Sequence, residues 1–239
     1  MKLVVVDAGV SDPSSTKALA DKITQQTSLM LTESMVTLDV HYIELSEIAL
    51  DIVRSLVSGL TPPSVQNAIS ELAEADGVIL STPVYKAGIS GLLKSFLDLL
   101  DNDLLIAKPV LLAATAGTAR HSLVIDDQFR SILAFFRALV VPSSVFAANT
   151  DWNSSDLDAR ITRGALELSE LMKSGVGHSI ADSAWSGYQH QFGGNATRSD
   201  QSVTDVDFST DLMKLATGGN VDTDAPISAV SEIFPTSSE

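Results

Sequence analysis

The stretch from Gly77 to Leu100 most constrains what this chain can fold into. An uncharged apolar run, Gly77-Val78-Ile79-Leu80, passes through Ser81-Thr82-Pro83-Val84-Tyr85-Lys86-Ala87-Gly88-Ile89-Ser90-Gly91 into residues with helical apolar spacing. Pro83 lacks a backbone donor and is expected to stop the ladder, so the strand is set at Gly77 to Ser81. Gly88 and Gly91 let the backbone approach a flat ligand. Leu92, Leu93, Phe96, Leu97, Leu99 and Leu100 then give the following helix a buried face. Strand, loop and helix in that order form the ligand-binding unit of an open α/β sheet.

The rest of the chain repeats the pattern. Leu3 to Val6 reads as a strand covered on both faces, followed by a helix over Lys17 to Gln26. Val36 to Leu45 alternates as a second strand, and Ser46 to Leu60 has helical composition without a firm period. Thr61-Pro62 reads as an N-cap hydroxyl with Pro at the first helical position, ahead of the stripe Val65, Ile69, Leu72 and Ala73. Further strands are expected over Pro109 to Ala114 and over Leu139 to Ala147, the latter interrupted by Pro142. Leu123 to Arg137 is expected to be helical, with Ile132, Leu133, Phe135 and Phe136 inward. Ser155-x-x-Asp158 resembles a capping box opening the last core helix, which carries Leu157, Ile161, Leu168, Leu171 and Met172 and ends at Gly175. Alternating βα units with five strands argue an α/β fold, a doubly wound parallel sheet.

Composition bounds the rest. With 239 residues, 45% of them hydrophobic, the chain can bury one sizeable core. The domain is drawn at residues 1–176, with an extension over 177–239 that is expected to be largely flexible. Residues 199–239 hold eight acidic side chains and one lysine, seven of the fifteen excess negative charges. Trp185, Tyr188, His190 and Phe192 either mark a docking segment or are loosely packed aromatics. A formal charge of -15 makes nucleic acid and anionic membranes poor partners. The absence of cysteine excludes disulfides, thiolate nucleophiles and Cys-based metal sites. The N-terminal apolar run is too short for a signal peptide, and none reaches the roughly 18 residues of a membrane span. A cytoplasmic protein is expected.

Three loops follow strands on one carboxyl edge. Ser11, Ser14, Ser15, Thr16 and Lys17 offer hydroxyls, helix N-terminal amides and one cation, either a phosphate cradle or an ordinary capped helix. Pro83, Val84, Tyr85, Lys86, Ala87 and Gly88 either line a flat ligand or leave Tyr85 as a partly buried core aromatic. Thr115, Ala116, Gly117 and Thr118 are small enough for their amides to reach a ring carbonyl. Arg120 and His121 are either contacts for a dinucleotide phosphate or solvated residues at a helix start.

The pairing of Thr82-Pro83-Val84-Tyr85 with Gly91-Leu92-Leu93-Lys94 resembles the motif of the flavodoxin-like NADPH-dependent FMN reductases, in particular those that supply reduced flavin to luciferase-like monooxygenases. The likeness spans roughly residues 3 to 150. Many relatives carry Asn and Pro where this chain has Lys86 and Ser90, Arg in the first loop where it has Lys17, and a second glycine where it has Ala116. The resemblance implies strand order 2-1-3-4-5, FMN phosphate in the first loop, the ring edge on the second and the pyrimidine end on the third. It further implies hydride transfer from NADPH or NADH to FMN, a flavin-dependent monooxygenase as partner, and a homodimer or homotetramer. A flavodoxin-type electron carrier, a quinone, azo-dye or metal-ion reductase, and a flavin-free interaction protein are the alternatives.

Other chemistries lack their signatures. There is no P-loop and no G-x-G-x-x-G, and Gly88-Ile89-Ser90-Gly91 lacks the fifth position of a nucleophile elbow. His41, His121, His178 and His190 are scattered without metal-ligand spacing, and no catalytic side chain is assigned.

Overall fold

In the computed structural model, which describes residues 1–185, β1 (Lys2–Asp7) is an interior strand of the sheet, paired on both sides. Leu3 and Val5 point into one apolar layer and Val4 and Val6 into the other, all of them fully buried. β2 (Asp39–Glu44) and β3 (Gly77–Tyr85) flank it in parallel, with Val4 opposite both His41 and Val78. β4 (Gly88–Ile89) folds back on β3 as a short antiparallel hairpin. β5 (Pro109–Ala116) continues the parallel sheet beyond β3, with Val78 opposite Val110. The expected fifth strand is split at Pro142 into β6 (Leu139–Val140) and β7 (Val145–Ala148), both parallel to β5. Counted by position, the order is 2-1-3-4-5.

β3 does not stop at Pro83. Thr82 and Pro83 still pair with Ala114 and Thr115 of β5, and Val84 and Tyr85 turn into the hairpin. The reason is directional. Ser81 O accepts from the Ala8 amide, so the polar groups of Ser81, and two residues on those of Pro83, face the β1 side. β1 ends at Asp7, and the missing N–H of Pro83 costs no ladder bond there.

Helices cover both faces. α1 (Ser15–Glu33) and α6 (Ser155–Ser174) pack Leu19, Ile23, Leu157, Ile161 and Leu168 against Leu3, Val5 and Leu111. α2 (Ala49–Ser58), α3 (Pro63–Glu74), α4 (Gly91–Leu97) and α5 (Arg130–Phe135) pack Ile52, Ile69, Phe96 and Leu133 against Val4, Val78 and Leu112. α1 runs seven residues past the expected Gln26 because Thr24 and Thr27 hide their hydroxyls on the carbonyls of Ala20 and Ile23, at 2.8 and 2.9 Å.

Two caps lie one residue from their expected places. Pro62, not Thr61, caps α3, since the residue before Pro63 is driven to extended backbone. Ser154, not Ser155, caps α6, accepting from the Asp156 amide at 3.1 Å. Gly175 ends α6 in the left-handed region, at φ 63°.

The expected helix over Leu123 to Arg137 is instead a π-turn, Ile125–Phe129, running into α5. The wider turn rotates the following side chains. Ile125, Phe129, Leu133 and Phe136 are buried, while Phe135, expected inward, is 61% exposed.

α7 (Val176–Ala184) continues the chain past the composition change at Gly177. A methyl group at Gly177 would lie 2.4 Å from Ala107 O, so this helix sits directly on the loop before β5. Tyr188, His190, Phe192 and the acidic stretch lie outside the described residues. Among the described residues no helix is long and apolar enough to cross a membrane.

Candidate functional site

Parallel pairing brings the three expected loops to one edge, with Asp7 opposite Ser81 and Pro83 opposite Thr115. Hydroxyls stitch them together. Thr16 Oγ1 and Thr115 Oγ1 are 2.8 Å apart across 99 residues of sequence, and Ser81 Oγ donates to Thr16 O at 3.1 Å. Thr16 and Thr115 are both buried, so their side chains serve as ties between loops. α1 leaves β1 toward one face of the sheet and α4 leaves the hairpin toward the other, which opens a crevice between them, the switch point of a doubly wound sheet.

The first loop opens α1. Ser14 caps it, its Oγ accepting from the Lys17 amide at 3.1 Å. The first-turn amides of Ser15 and Thr16 have no intrahelical acceptor and point out of the helix end. Ser11 and Ser15 are exposed, and Ser11 Oγ donates to Pro13 O at 3.2 Å. Gly9 is required by space: a methyl there would lie 2.1 Å from Ser14 Oγ and 3.2 Å from Asp7 Oδ2.

The charges around this cradle were not legible in the local sequence. Lys17 Nζ donates to Glu44 Oε1 at 2.8 Å and sits 4.6 Å from the centre of the Tyr42 ring. The pair raises the Lys17 pKa. Asp7, 2% exposed, accepts from the Gly9 amide at 3.2 Å, and burial pushes its carboxyl above the usual range. The cradle is therefore built of neutral donors with carboxylates beneath and beside it, its one cation already paired.

The second loop is the β3–β4 hairpin. Tyr85 pairs with Gly88, leaving Lys86 and Ala87 as a two-residue turn at φ 50° and 61°. That turn matches strand twist but is usually Asn-Gly; on Lys and Ala the left-handed region costs about 1–2 kcal/mol each. The surroundings hold it. Ser90 N–H donates to Thr82 Oγ1 at 3.1 Å while Ser90 Oγ caps α4, and Gln128 Nε2 donates to Ala87 O at 3.0 Å. Pro83 is buried and Val84 half-buried against the core, whereas Tyr85, Lys86 and Ala87 are exposed and Gly88 lies against Gln128.

The third loop leaves β5 after Ala116, which pairs with Ala148. Gly117 and Thr118 are exposed, and a methyl at Gly117 would meet nothing within 4 Å. Arg120 and His121 stand on a short 3-10 turn, Ala119–His121, with the Arg120 side chain in solvent. Asp7, Glu44 and Gln128 carry no motif. Only the position of Asp7 at the carboxyl end of the first strand offered a signal.

Comparison with known proteins matches this architecture. Residues 1–153 fit the family described as NADPH-dependent FMN reductase. An "FMN reductase (NADPH)" of Pseudomonas aeruginosa is 38% identical over 175 residues, 71% of this chain and 91% of that protein. A Pseudomonas putida protein named NADH-dependent FMN reductase SfnE is 35% identical, over 77% of this chain and 98% of its own length. The X-ray structure of an oxidoreductase from Corynebacterium diphtheriae superposes with a TM-score of 0.71 at 40% identity, over 72% of this chain and 97% of that one. With more than half of its length in that match, and relatives this similar over most of their own length, the chain belongs to the NADPH-dependent FMN reductase family.

Proposed function

We propose that this chain carries FMN in the crevice between the three loops and passes hydride to it from NADPH or NADH, releasing reduced flavin to a flavin-dependent monooxygenase. The observation that carries the reading is the convergence of the unpaired α1 amides, the Pro83–Gly88 hairpin and the open third loop at one switch point. FMN, when bound, supplies the hydride-accepting ring; the chain binds, orients and shields it.

The residues fit that group. The amides of Ser15 and Thr16 with the hydroxyls of Ser11, Ser14 and Ser15 accept a phosphate at a helix N-terminus, and Lys17 joins them only by leaving Glu44. Pro83, Val84, Tyr85, Lys86, Ala87 and Gly88 give the ring a shaped edge. Ala116, Gly117, Thr118 and the Thr115 main chain offer amides to the pyrimidine end, where the empty space beside Gly117 admits a ring. A phosphate held without a free cation is held lightly, which suits an enzyme that hands its flavin on. Such a reductase works in the cytoplasm, where reduced nicotinamide is regenerated.

A homodimer or homotetramer is part of this reading. It is supported by the outward stripe Leu50, Val53, Val57 and Leu60 along and just beyond α2, all more than half exposed.

Purified protein mixed with free FMN in excess and NADPH or NADH, without oxygen, should consume many equivalents of nucleotide per chain. Binding of one equivalent of FMN with little nucleotide consumed would point to an electron carrier. Absence of FMN binding would remove the reading.

A further inference from the structure

The most strained backbone among the described residues at this edge is the Lys86–Ala87 turn, two consecutive residues with side chains in the left-handed region. Such a conformation persists only where its neighbours hold it. The hairpin contributes two residue pairs, Tyr85 with Gly88 and Val84 with Ile89. Ser90 and Thr82 anchor its far end. One side chain from another element reaches the turn itself: Gln128, whose Nε2 donates to Ala87 O at 3.0 Å. Gln128 lies within the π-turn Ile125–Phe129, flanked by the fully buried Phe129 and, three residues back, Ile125. The π-turn thus fixes Gln128 at its base. Its Oε1 also stands where a methyl on Gly88 would approach within 3.1 Å, so glycine at 88 makes room for the clamp.

We propose that Gln128 is a positioning residue of the flavin site: its side-chain amide clamps the left-handed Lys86–Ala87 turn, and the clamped turn presents a preformed edge to the ring. The inference rests on the reading of the crevice as a flavin site. Gln128 acts through the backbone of Ala87 and not by touching the flavin.

The mechanism dictates a double-mutant test. Lys86→Asn combined with Ala87→Gly gives a relaxed-turn background, since Asn-Gly adopts this geometry without help. Two readouts are taken: hydrogen exchange of peptides covering Val84–Ile89 in the ligand-free protein, and the FMN dissociation constant from quenching of flavin fluorescence. Gln128→Ala should speed exchange and weaken FMN binding about fivefold, the scale of one lost hydrogen bond. Gln128→Glu should match it, since a carboxylate keeps the volume beside Gly88 but cannot donate. In the relaxed-turn background the same Gln128 substitutions should change either readout by less than about twofold. Equal loss of FMN affinity in both backgrounds would mean that Gln128 contacts the flavin directly, and unchanged exchange would mean that it clamps nothing; either result overturns the proposal. If the wild-type chain binds no FMN, the flavin reading falls by itself, and exchange still decides whether Gln128 holds the turn.

Discussion

The two edges of the sheet use the same residue types to opposite ends. At the amino edge, glycine means contact: a methyl at Gly177 would strike Ala107 O at 2.4 Å. At the carboxyl edge Gly9 is enclosed as tightly, a methyl there lying 2.1 Å from Ser14 Oγ, but Gly117 faces open space. Charges are paired at both edges, Lys17 with Glu44 at the carboxyl edge and a larger set at the amino edge. Lys2 Nζ bridges Glu71 and Glu74 at 2.7 Å, the Lys2 amide donates to Asp76 Oδ2 at 2.7 Å, and Lys108 Nζ donates to the carbonyls of Ala73 and Ala75 at the end of α3. The carboxyl edge keeps a raised Asp7, unpaired helix amides and two strained turn residues. Left-handed residues occur at both edges, Ala107 and Arg137 at the amino edge and Lys86 and Ala87 at the carboxyl edge, so what sets the carboxyl edge apart is its open helix end and the space beside Gly117 that a ligand can use.

The largest effect that could break this comparison comes from moving one methyl between the edges. Gly177→Ala should lower stability by about 1–3 kcal/mol through overpacking while leaving FMN affinity unchanged. Gly117→Ala should leave stability within about 0.5 kcal/mol and weaken FMN binding severalfold. Thermal melts and flavin titrations on the pair would undo the comparison if the two readouts moved together.

Asp76 tests the amino edge by pH. Burial alone would raise its pKa, but the Lys2 amide and His178, whose Nε2 lies 2.9 Å from Oδ1, outweigh it and hold the carboxyl low. A carboxyl depressed in the native state adds stability above its unfolded pKa, about 3.8, and loses it as pH falls through the lower native value. Asp76→Ala should therefore cost about 1–2 kcal/mol at pH 7 and progressively less in acid, read from denaturant midpoints.

Asp7 reverses the sign at the carboxyl edge. Its pKa is raised by burial, so the native state binds the proton more tightly, and ionisation destabilises the fold as pH climbs through the unfolded and then the native value. Asp7→Asn keeps an acceptor for the Gly9 amide and should raise the melting temperature at pH 7 but not in strong acid, where the carboxyl is protonated in both states. The same substitution removes a negative charge below the cradle and should tighten FMN modestly. An identical melting shift at both pH values would show that burial of charge is not the cause.

The smallest effect is expected at Lys17. Because Glu44 already holds its ammonium, Lys17→Gln should change FMN affinity by no more than about threefold, with little dependence on salt. A loss of tenfold or more would place Lys17 on the phosphate and show that the pair with Glu44 opens on binding.

Much of the site was legible because a parallel sheet converts sequence order into position. Once Leu3 to Val6, Gly77 to Leu80 and Pro109 to Ala114 are strands of one sheet, the loops after them must share an edge, whatever their residues. Roles within those loops were less legible. Thr16 reads as a hydroxyl of the cradle and proves to be bonded to Thr115, and Lys17 reads as a cation of the cradle and is paired with Glu44. A side chain's chemical type is local, but its availability depends on what folds against it.

What this sequence determined by itself is whatever rests on neighbours within a few positions: the apolar strands, the caps to within one residue, the left-handed end of α6 at Gly175, and the chain order that yields a doubly wound sheet. Tertiary structure alone decided that β3 runs through Pro83, because β1 had already ended beside it. It alone turned Phe135 outward through a π-turn, and brought Gln128 to a turn 41 residues away. Periodicity records which way a side chain points from its own element. Which partner waits there is settled by the packing of elements far apart in the chain, and that partner sets a group's pairing, its strain and its charge.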